Sequence, residues 1–174
     1  MTGEDHVASK LAEFRDRYDE FEVTTREGSI PTEEFETRTE KVRARSPFNA
    51  RVLVERDGEV LLVRDHDWPG FWVEPGGTVE SGEAIEQATR REITEETGIE
   101  CRLTDLRGVV HFVGHDEADE TKEVHLLQAF YWAEHERGDL DVQEEEIVEG
   151  RWWQTLPEEF HSNLGVPDGR FEVS

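Results

Sequence analysis

Cysteine is almost absent: Cys101 stands alone in 174 residues, which excludes an intramolecular disulfide and a thiolate metal cluster. Lysine is nearly as scarce. Only Lys10, Lys41 and Lys122 occur, and the 19 lysines and arginines face 43 aspartates and glutamates, a formal net charge of −24. No basic stripe is available to neutralise a phosphate backbone, so no nucleic acid polymer is expected as a partner. No apolar run approaches the roughly 20 residues of a membrane-spanning helix. The start, "MTGEDHVASK", lacks the basic and apolar segments of a signal peptide. A cytoplasmic protein without membrane attachment is the expectation. An excess of carboxylate with so little lysine resembles the proteome style of halophilic organisms, where dense salt screens self-repulsion; a simply acidic protein is the alternative.

What is present is enough for a core. Five Trp, nine Phe and regular Val/Leu runs rule out a disordered composition. Residues 1–45 read as a helical N-terminal extension. Val7, Leu11, Phe14, Tyr18 and Phe21 step by four, three, four and three, one helix face. "TREGSIP" breaks that helix, and a second follows with Phe35 and Val42 as anchors. The extension reads as a cap on the main domain, with a dimerisation arm, and hence a homodimer, as the alternative. From residue 46 to 174 the pattern is that of a separate domain. Asp57-Gly58 between two β-rich runs signals a hairpin. Phe71–Glu74 reads as a short strand, and residues 82–97 as a helix capped by Ser81, with Glu83 in its first turn and Gly98 ending it. "GVVHFVG", "EVHLLQAFYWAE" and "GRWWQ" read as strands, and "LPEEFH" as a short helix. Trp152 and Trp153 must face opposite sides of their strand, and Cys101 reads as a small core residue. The mixture lacks the alternation of a doubly wound sheet, so the class is α+β with a mixed sheet.

Within 82–97, Glu95 and Glu96 fall within about 60° of Glu92, on either side of it, at 100° per residue, on the face that also carries Ile85 and Ala88. Three carboxylates beside a buried stripe repel one another, and burial raises their proton affinity unless a cation compensates. Arg91 reaches Glu95 at i, i+4 but cannot neutralise all three. A hard divalent cation can, Mg²⁺ first and Mn²⁺ as its substitute. The seven His show no HExxH and no close pair at ligand spacing, which argues against zinc.

Gly77, five residues, Glu83, seven residues, then Arg91-Glu92-Ile93-Thr94-Glu95-Glu96-Thr97-Gly98-Ile99 resembles the Nudix box at all nine of its fixed positions. The resemblance implies an α/β/α sandwich with a mixed sheet and a hydrolase acting on acid anhydrides. Such an enzyme cleaves a phosphoanhydride bond in a nucleoside diphosphate linked to another moiety, with Mg²⁺ or Mn²⁺. It also implies roles for individual residues. Glu92, Glu95 and Glu96 would be metal ligands, with the Gly77 carbonyl as a further one. Arg91 would orient the glutamates. Glu83 would steady the loop–helix–loop, or act at the metal as in some members. Gly76, Ile93, Gly98 and Ile99 would shape the motif. The general base is Glu146, in the acidic loop before Trp152, or Glu96. Trp68, Phe71 and Trp72 flank the approach to the box; Trp72 is taken as the substrate-side aromatic, with core packing as its alternative role. A second reading of the whole domain is a catalytically silent nucleotide-binding or regulatory unit of the same fold.

The sequence departs from the family pattern at two places. Glu74 stands where an apolar residue often precedes the proline, and either adds charge near the metal or faces solvent. The downstream signatures of the ADP-ribose, dinucleoside polyphosphate and NADH subfamilies are missing, so the substrate stays open.

Overall fold

Helix α1 (Gly3–Arg17) starts where Thr2 and Asp5 close a reciprocal capping box. Its face is the one read from the spacing as far as Phe14: Val7 and Phe14 are fully buried with Leu11 beside them, while Tyr18 and Phe21 pack on the same core from beyond the helix end. The next stretch corrects the reading of residues 1–45 as two helices joined by a simple break. It is a strand, β1 (Glu22–Ile30), followed by α2 (Thr32–Ala44). The helical stepping ends at Phe21, and Val23-Thr24-Thr25 are β-branched residues suited to a strand. All nine residues of β1 pair in parallel with the second half of a strand more than 80 positions away, Glu22 opposite Gly108 through Ile30 opposite Asp116. A parallel partner so distant leaves no local signal.

The computed structural model describes residues 2–167, so 168–174 of the expected 46–174 domain lie outside the described residues. Strands β2 (Phe48–Arg56) and β3 (Glu59–Asp65) form the expected hairpin, with Asp57 and Gly58 at φ 50° and 81°. A three-residue strand, β4 (Gly76–Thr78), pairs with β2. The strand expected at Phe71–Glu74 is reduced to single bridges, Val73 to Val63 and Trp72 to Phe160, because Pro75 removes a backbone donor and the chain turns at Gly76. Helix α3 (Ile85–Thr97) follows, then the long antiparallel pair β5 (Glu100–Asp116) and β6 (Asp119–Arg137), and finally β7 (Ile147–Trp153). The sheet runs β1-β5-β6-β2-β3-β7, parallel at β1–β5 and β6–β2 and antiparallel elsewhere. This is the α+β mixed sheet with flanking helices.

The two sheet faces have different covers. Alternating Ala50, Val52 and Val54 of β2 meet Ile85, Ala88 and Ile93 of α3 and the apolar face of α1. Leu53, Val60 and Leu62 point the other way, onto Trp72, Trp132 and Leu156. Trp152 packs on the first core and Trp153 on the second, as strand alternation requires. The helix expected at "LPEEFH" is instead a series of turns. Leu156 is fully buried, Phe160 N–H donates to the Pro157 carbonyl at 3.0 Å, and the Trp72 backbone bonds to both Glu159 and His161. Those tertiary bonds replace the i, i−4 ladder. Cys101 is buried, as expected. Among the described residues no helix is long and apolar enough to cross a membrane.

Candidate active site

The site is built where β4 passes the C-terminal half of α3. Gly76 sits at φ 153°, and a Cβ there would collide with the Ala50 carbonyl across the β2–β4 pairing. Its N–H donates to the Glu96 carboxylate at 3.2 Å. At Gly77 a Cβ would stand 2.5 Å from Glu92 Oε2, so the missing side chain is the room that Glu92 occupies. Gly98, at φ 72°, ends α3 in the left-handed conformation, with its N–H on the Thr94 carbonyl at 3.0 Å. Ile93 and Ile99 are fully buried and fix the helix to the core.

The start of α3 corrects the sequence reading. Ala84 is the N-cap and makes no side-chain capping bond, so neither Ser81 nor Glu83 acts at the helix terminus. Gly82, at φ 81°, turns the chain just beforehand. The Glu83 carboxylate faces Arg91, which donates to it through Nε at 2.8 Å and a terminal nitrogen at 2.9 Å. The other arm of Arg91 donates to Glu92 at 2.8 Å and Glu95 at 3.1 Å. Arg91 therefore bridges three of the motif's glutamates, and those contacts, Glu83 foremost, raise its proton affinity.

The helical pitch separates the three glutamates more sharply than the spacing suggests. Glu95 lies at the rim with its side chain 60% exposed, whereas Glu92 is largely covered and Glu96 is buried. Burial pushes the Glu92 carboxyl up against the opposing pull of Arg91. Burial pushes Glu96 up further, to about 8, with Glu92 and Glu146 adding to the effect and Arg51 and the Gly76 N–H opposing it.

Glu146 is brought to this group by the acidic loop. Gln143 N–H donates to the Glu96 carbonyl at 2.8 Å, Asp141 N–H to the Thr97 carbonyl at 2.9 Å, and His66 N–H to the Glu146 carbonyl at 3.3 Å. The Glu146 side chain is exposed, and its charge acts on both Glu92 and Glu96.

The remaining expectations are redistributed. Trp72 lies in the second core, its ring edge-on to Trp153 at 5.0 Å, and Trp68 is the tryptophan that lines the neighbouring cleft. That cleft holds about 170 Å³ between Arg51, Trp68, Glu74, Gln128, His161 and Asn163. Glu74 neither faces solvent nor crowds the glutamates. It is 2% exposed and pairs at 3.0 Å with Arg107, whose side chain is 7% exposed. Arg51 donates to the Glu74 carbonyl at 3.1 Å and is the cation acting on Glu96. The spacing argument passed over Arg51 and Arg107; an arginine interrupting an apolar strand run, as in "ARVLV" and "LRGVV", was the available signal. Two of the scattered histidines also meet, His111 and His125, with ring nitrogens 2.9 Å apart across β5–β6.

Among the described residues, no three His, Cys, Asp or Glu side chains converge as a ready-made metal cage. Arg91 holds Glu92 and Glu95, and the Gly76 N–H holds Glu96. The donor chemistry nonetheless fits a hard divalent cation. Two desolvated carboxylates with raised proton affinity stand beside a strand with no side chain at Gly76 or Gly77.

Nucleoside triphosphatase NudI of Escherichia coli (strain E24377A) is 48% identical over 58 residues, 31% of this chain and 41% of that protein. The NAD-capped RNA hydrolase NudC of Pseudomonas aeruginosa (strain LESB58) is 34% identical over 103 residues, 59% of this chain and 34% of that one. The matched stretches thus span under half the length of these relatives. Among solved structures, a MutT NUDIX hydrolase from Burkholderia pseudomallei superimposes with a TM-score of 0.50 at 32% identity, covering 62% of this chain and 81% of that one. A mutator MutT protein from Bacillus halodurans gives 0.51 at 30% identity, covering 61% and 67%. Nudix hydrolases generally use divalent metal ions. A family model, NUDIX domain, matches residues 45–170, and the chain belongs to the Nudix family.

Proposed function

We propose that this protein is a Mg²⁺-dependent pyrophosphohydrolase, with Mn²⁺ as a substitute, acting on a nucleoside diphosphate linked to another moiety. The observation that carries the reading is the buried Glu96 beside Gly76, with Glu92 against Gly77 and Glu146 within electrostatic reach of both. The activities in the names of the relatives, nucleoside triphosphatase and NAD-capped RNA hydrolase, agree with this class of bond.

Glu92 and Glu96 would hold the metal, with the Gly77 carbonyl and the rim carboxylate Glu95 completing the donor set. When bound, a divalent ion supplies the positive charge that lets a polyanionic phosphate approach a protein of net charge −24 and offsets charge on the leaving oxygen. Arg91 fixes Glu92 and Glu95 relative to the Glu83 turn and keeps their mutual repulsion in check. Glu146, exposed at the loop end, takes the proton from the attacking water. Trp68, 56% exposed on the cleft, offers a ring face to the nucleoside in the role first assigned to Trp72.

The test is a hydrolysis screen of nucleoside diphosphate derivatives and nucleoside triphosphates with Mg²⁺ or Mn²⁺, at low and at molar salt, with product identification. Release of a nucleoside monophosphate is expected. Tight nucleotide binding without any product would replace this reading with that of a silent binding domain.

A further inference from the structure

The segment that walls the cleft on one side is fastened from three directions. At its start, His161 N–H donates to the Trp72 carbonyl at 2.9 Å. In its middle, the guanidinium of Arg26, on β1, donates to the Asn163 carbonyl at 2.6 Å. At its end, buried Arg107 of β5 donates to the Gly165 carbonyl at 3.0 Å while holding Glu74. Leu164 lies against Gly108, where a Cβ would stand 3.0 Å from its methyl groups, so a larger residue on β5 would lift the segment. Four consecutive peptide units without helix or sheet bonds are thus held down by chain elements far away in sequence.

What this strap presents to the cleft is polar and aromatic. The Asn163 carboxamide donates to Gln128 Oε1 at 2.8 Å, and Gln128 donates to Asn49 Oδ1 at 2.7 Å. This relay engages one end of the Asn163 carboxamide and fixes its plane. The other end has no hydrogen-bond partner among the described residues. The His161 ring lies nearly parallel to Trp68, 6.1 Å between centroids and 11° between planes. A flat aromatic surface beside an oriented carboxamide with spare capacity, in a cleft also lined by Arg51, the cation acting on Glu96, has the chemistry to stack and hydrogen-bond a nucleobase.

We propose that the strap His161–Gly165 is the base-recognition wall of the cleft, with Asn163 as the residue that reads the base edge and Arg26 as a positioning residue that holds Asn163 in place. Arg26 lies outside residues 45–170, so the N-terminal helix–strand–helix unit contributes to substrate selection by fastening this wall. The inference rests on the nucleotide reading above and extends it.

The test uses the full chain and nonhydrolysable α,β-methylene nucleoside diphosphates carrying each of the four bases, with a base-free ribose diphosphate analogue as control. Binding is followed by tryptophan fluorescence. Asn163→Ala should weaken binding of at least one base-bearing analogue about tenfold and leave the base-free analogue unchanged. Arg26→Ala should weaken it about three- to tenfold, the range of one hydrogen bond, with Arg26→Lys restoring part of the loss. Asn163→Ser, which stays polar but withdraws the carboxamide oxygen from the base edge, should give the same selective loss; it serves as the second variant if Asn163→Ala folds poorly. Equal weakening of base-bearing and base-free analogues, or none, overturns the role of the strap. A wild-type protein that does not distinguish base-bearing from base-free analogues overturns it while leaving hydrolysis intact. A wild type that binds and cleaves no nucleotide overturns both.

Discussion

Gly76 donates its backbone N–H to the carboxylate of Glu96 at 3.2 Å from a backbone conformation, φ 153°, in which any side chain would strike the Ala50 carbonyl. The fold thus fixes a hydrogen-bond donor against a buried acid at a position only glycine tolerates. Gly76→Ala should either displace β4 from β2 or strain the turn, costing at least about 2 kcal/mol. Urea denaturation would measure it. An unchanged midpoint with normal turnover would show that β4 gives way at no cost and that its contact with Glu96 is dispensable.

The Glu96 carboxyl gives the metal-free protein a pH signature. Its proton affinity is raised by burial, with a pKa of about 8 against the ordinary 4.5. The folded state therefore holds this proton more tightly than the unfolded state. The resulting stability is fully present below the ordinary value and is lost as pH rises through about 8. Each tenfold change in proton affinity corresponds to about 1.4 kcal/mol, so the loss amounts to a few kcal/mol. In chelator, the melting temperature should fall between pH 6 and 8.5, and Glu96→Gln should flatten that slope and stabilise the protein at the alkaline end. Added Mg²⁺ or Mn²⁺ should counter the fall in the wild type, because a divalent ion favours the ionised carboxylate. Parallel pH slopes in wild type and variant would move the raised proton affinity to another group.

How far the sequence disclosed this site depends on the range of each interaction. Glu92, Glu95, Glu96, Ile85 and Ala88 are within one helix, so helical pitch alone placed the glutamates beside the apolar stripe. Asp57-Gly58 specifies its own turn, and Gly98 its own helix end. Pitch did not show that Arg91 would draw Glu95 to the rim and fork onto Glu83, because that depends on the turn at Gly82. The features that escaped are all long-range. β1 owes its conformation to β5, Glu74 to Arg107 across 33 positions, and His111 meets His125 only through the β5–β6 register. Residues 156–161 lose their helix to backbone bonds with Trp72. Periodicity reports what a segment does with its own neighbours, and these residues answer to distant ones.

The assignment of the proton acceptor separates cleanly by mutation. Glu146→Gln preserves shape and removes the basic oxygen, and the side chain is exposed, so folding should be unaffected. If Glu146 takes the proton from water, kcat should fall by two or more decades with KM nearly constant, a loss of about 3 kcal/mol of transition-state stabilisation or more. Steady-state kinetics at saturating Mg²⁺ would show it. A change of only a few fold would transfer the role to Glu96.

The pair Glu74–Arg107 makes an asymmetric prediction. Both side chains are buried, at 3% and 7% exposure, so removing one strands the other's charge away from water. Glu74→Leu or Arg107→Met alone should cost about 3–5 kcal/mol, whereas the two combined should recover most of that loss. A double-mutant cycle by chemical denaturation measures the coupling. Because Arg107 also holds the Gly165 carbonyl, the recovered double variant should still bind nucleotide less tightly than the wild type. Additive single effects would mean that water reaches the pair.

Ionic strength should act on the whole fold. With 43 acidic side chains against 19 basic ones, and most of the exposed surface carrying one sign, the folded state brings like charges closer than the unfolded chain does. At 0.1 M salt the screening length is about 10 Å and at 1 M about 3 Å, so molar salt removes repulsion between neighbouring surface carboxylates that dilute buffer leaves in place. The ion pairs that salt also screens, such as Arg91–Glu95 at the rim, are individually weak where they are exposed. Repulsion therefore dominates the balance, and the melting temperature should rise steadily from 0.1 to 2 M KCl. Potassium sulfate strengthens apolar burial as well and would mask the charge effect, so chloride is the informative salt. A flat or falling profile in KCl would mean that the ion-pair network, and not the excess of carboxylates, sets the electrostatic contribution to stability.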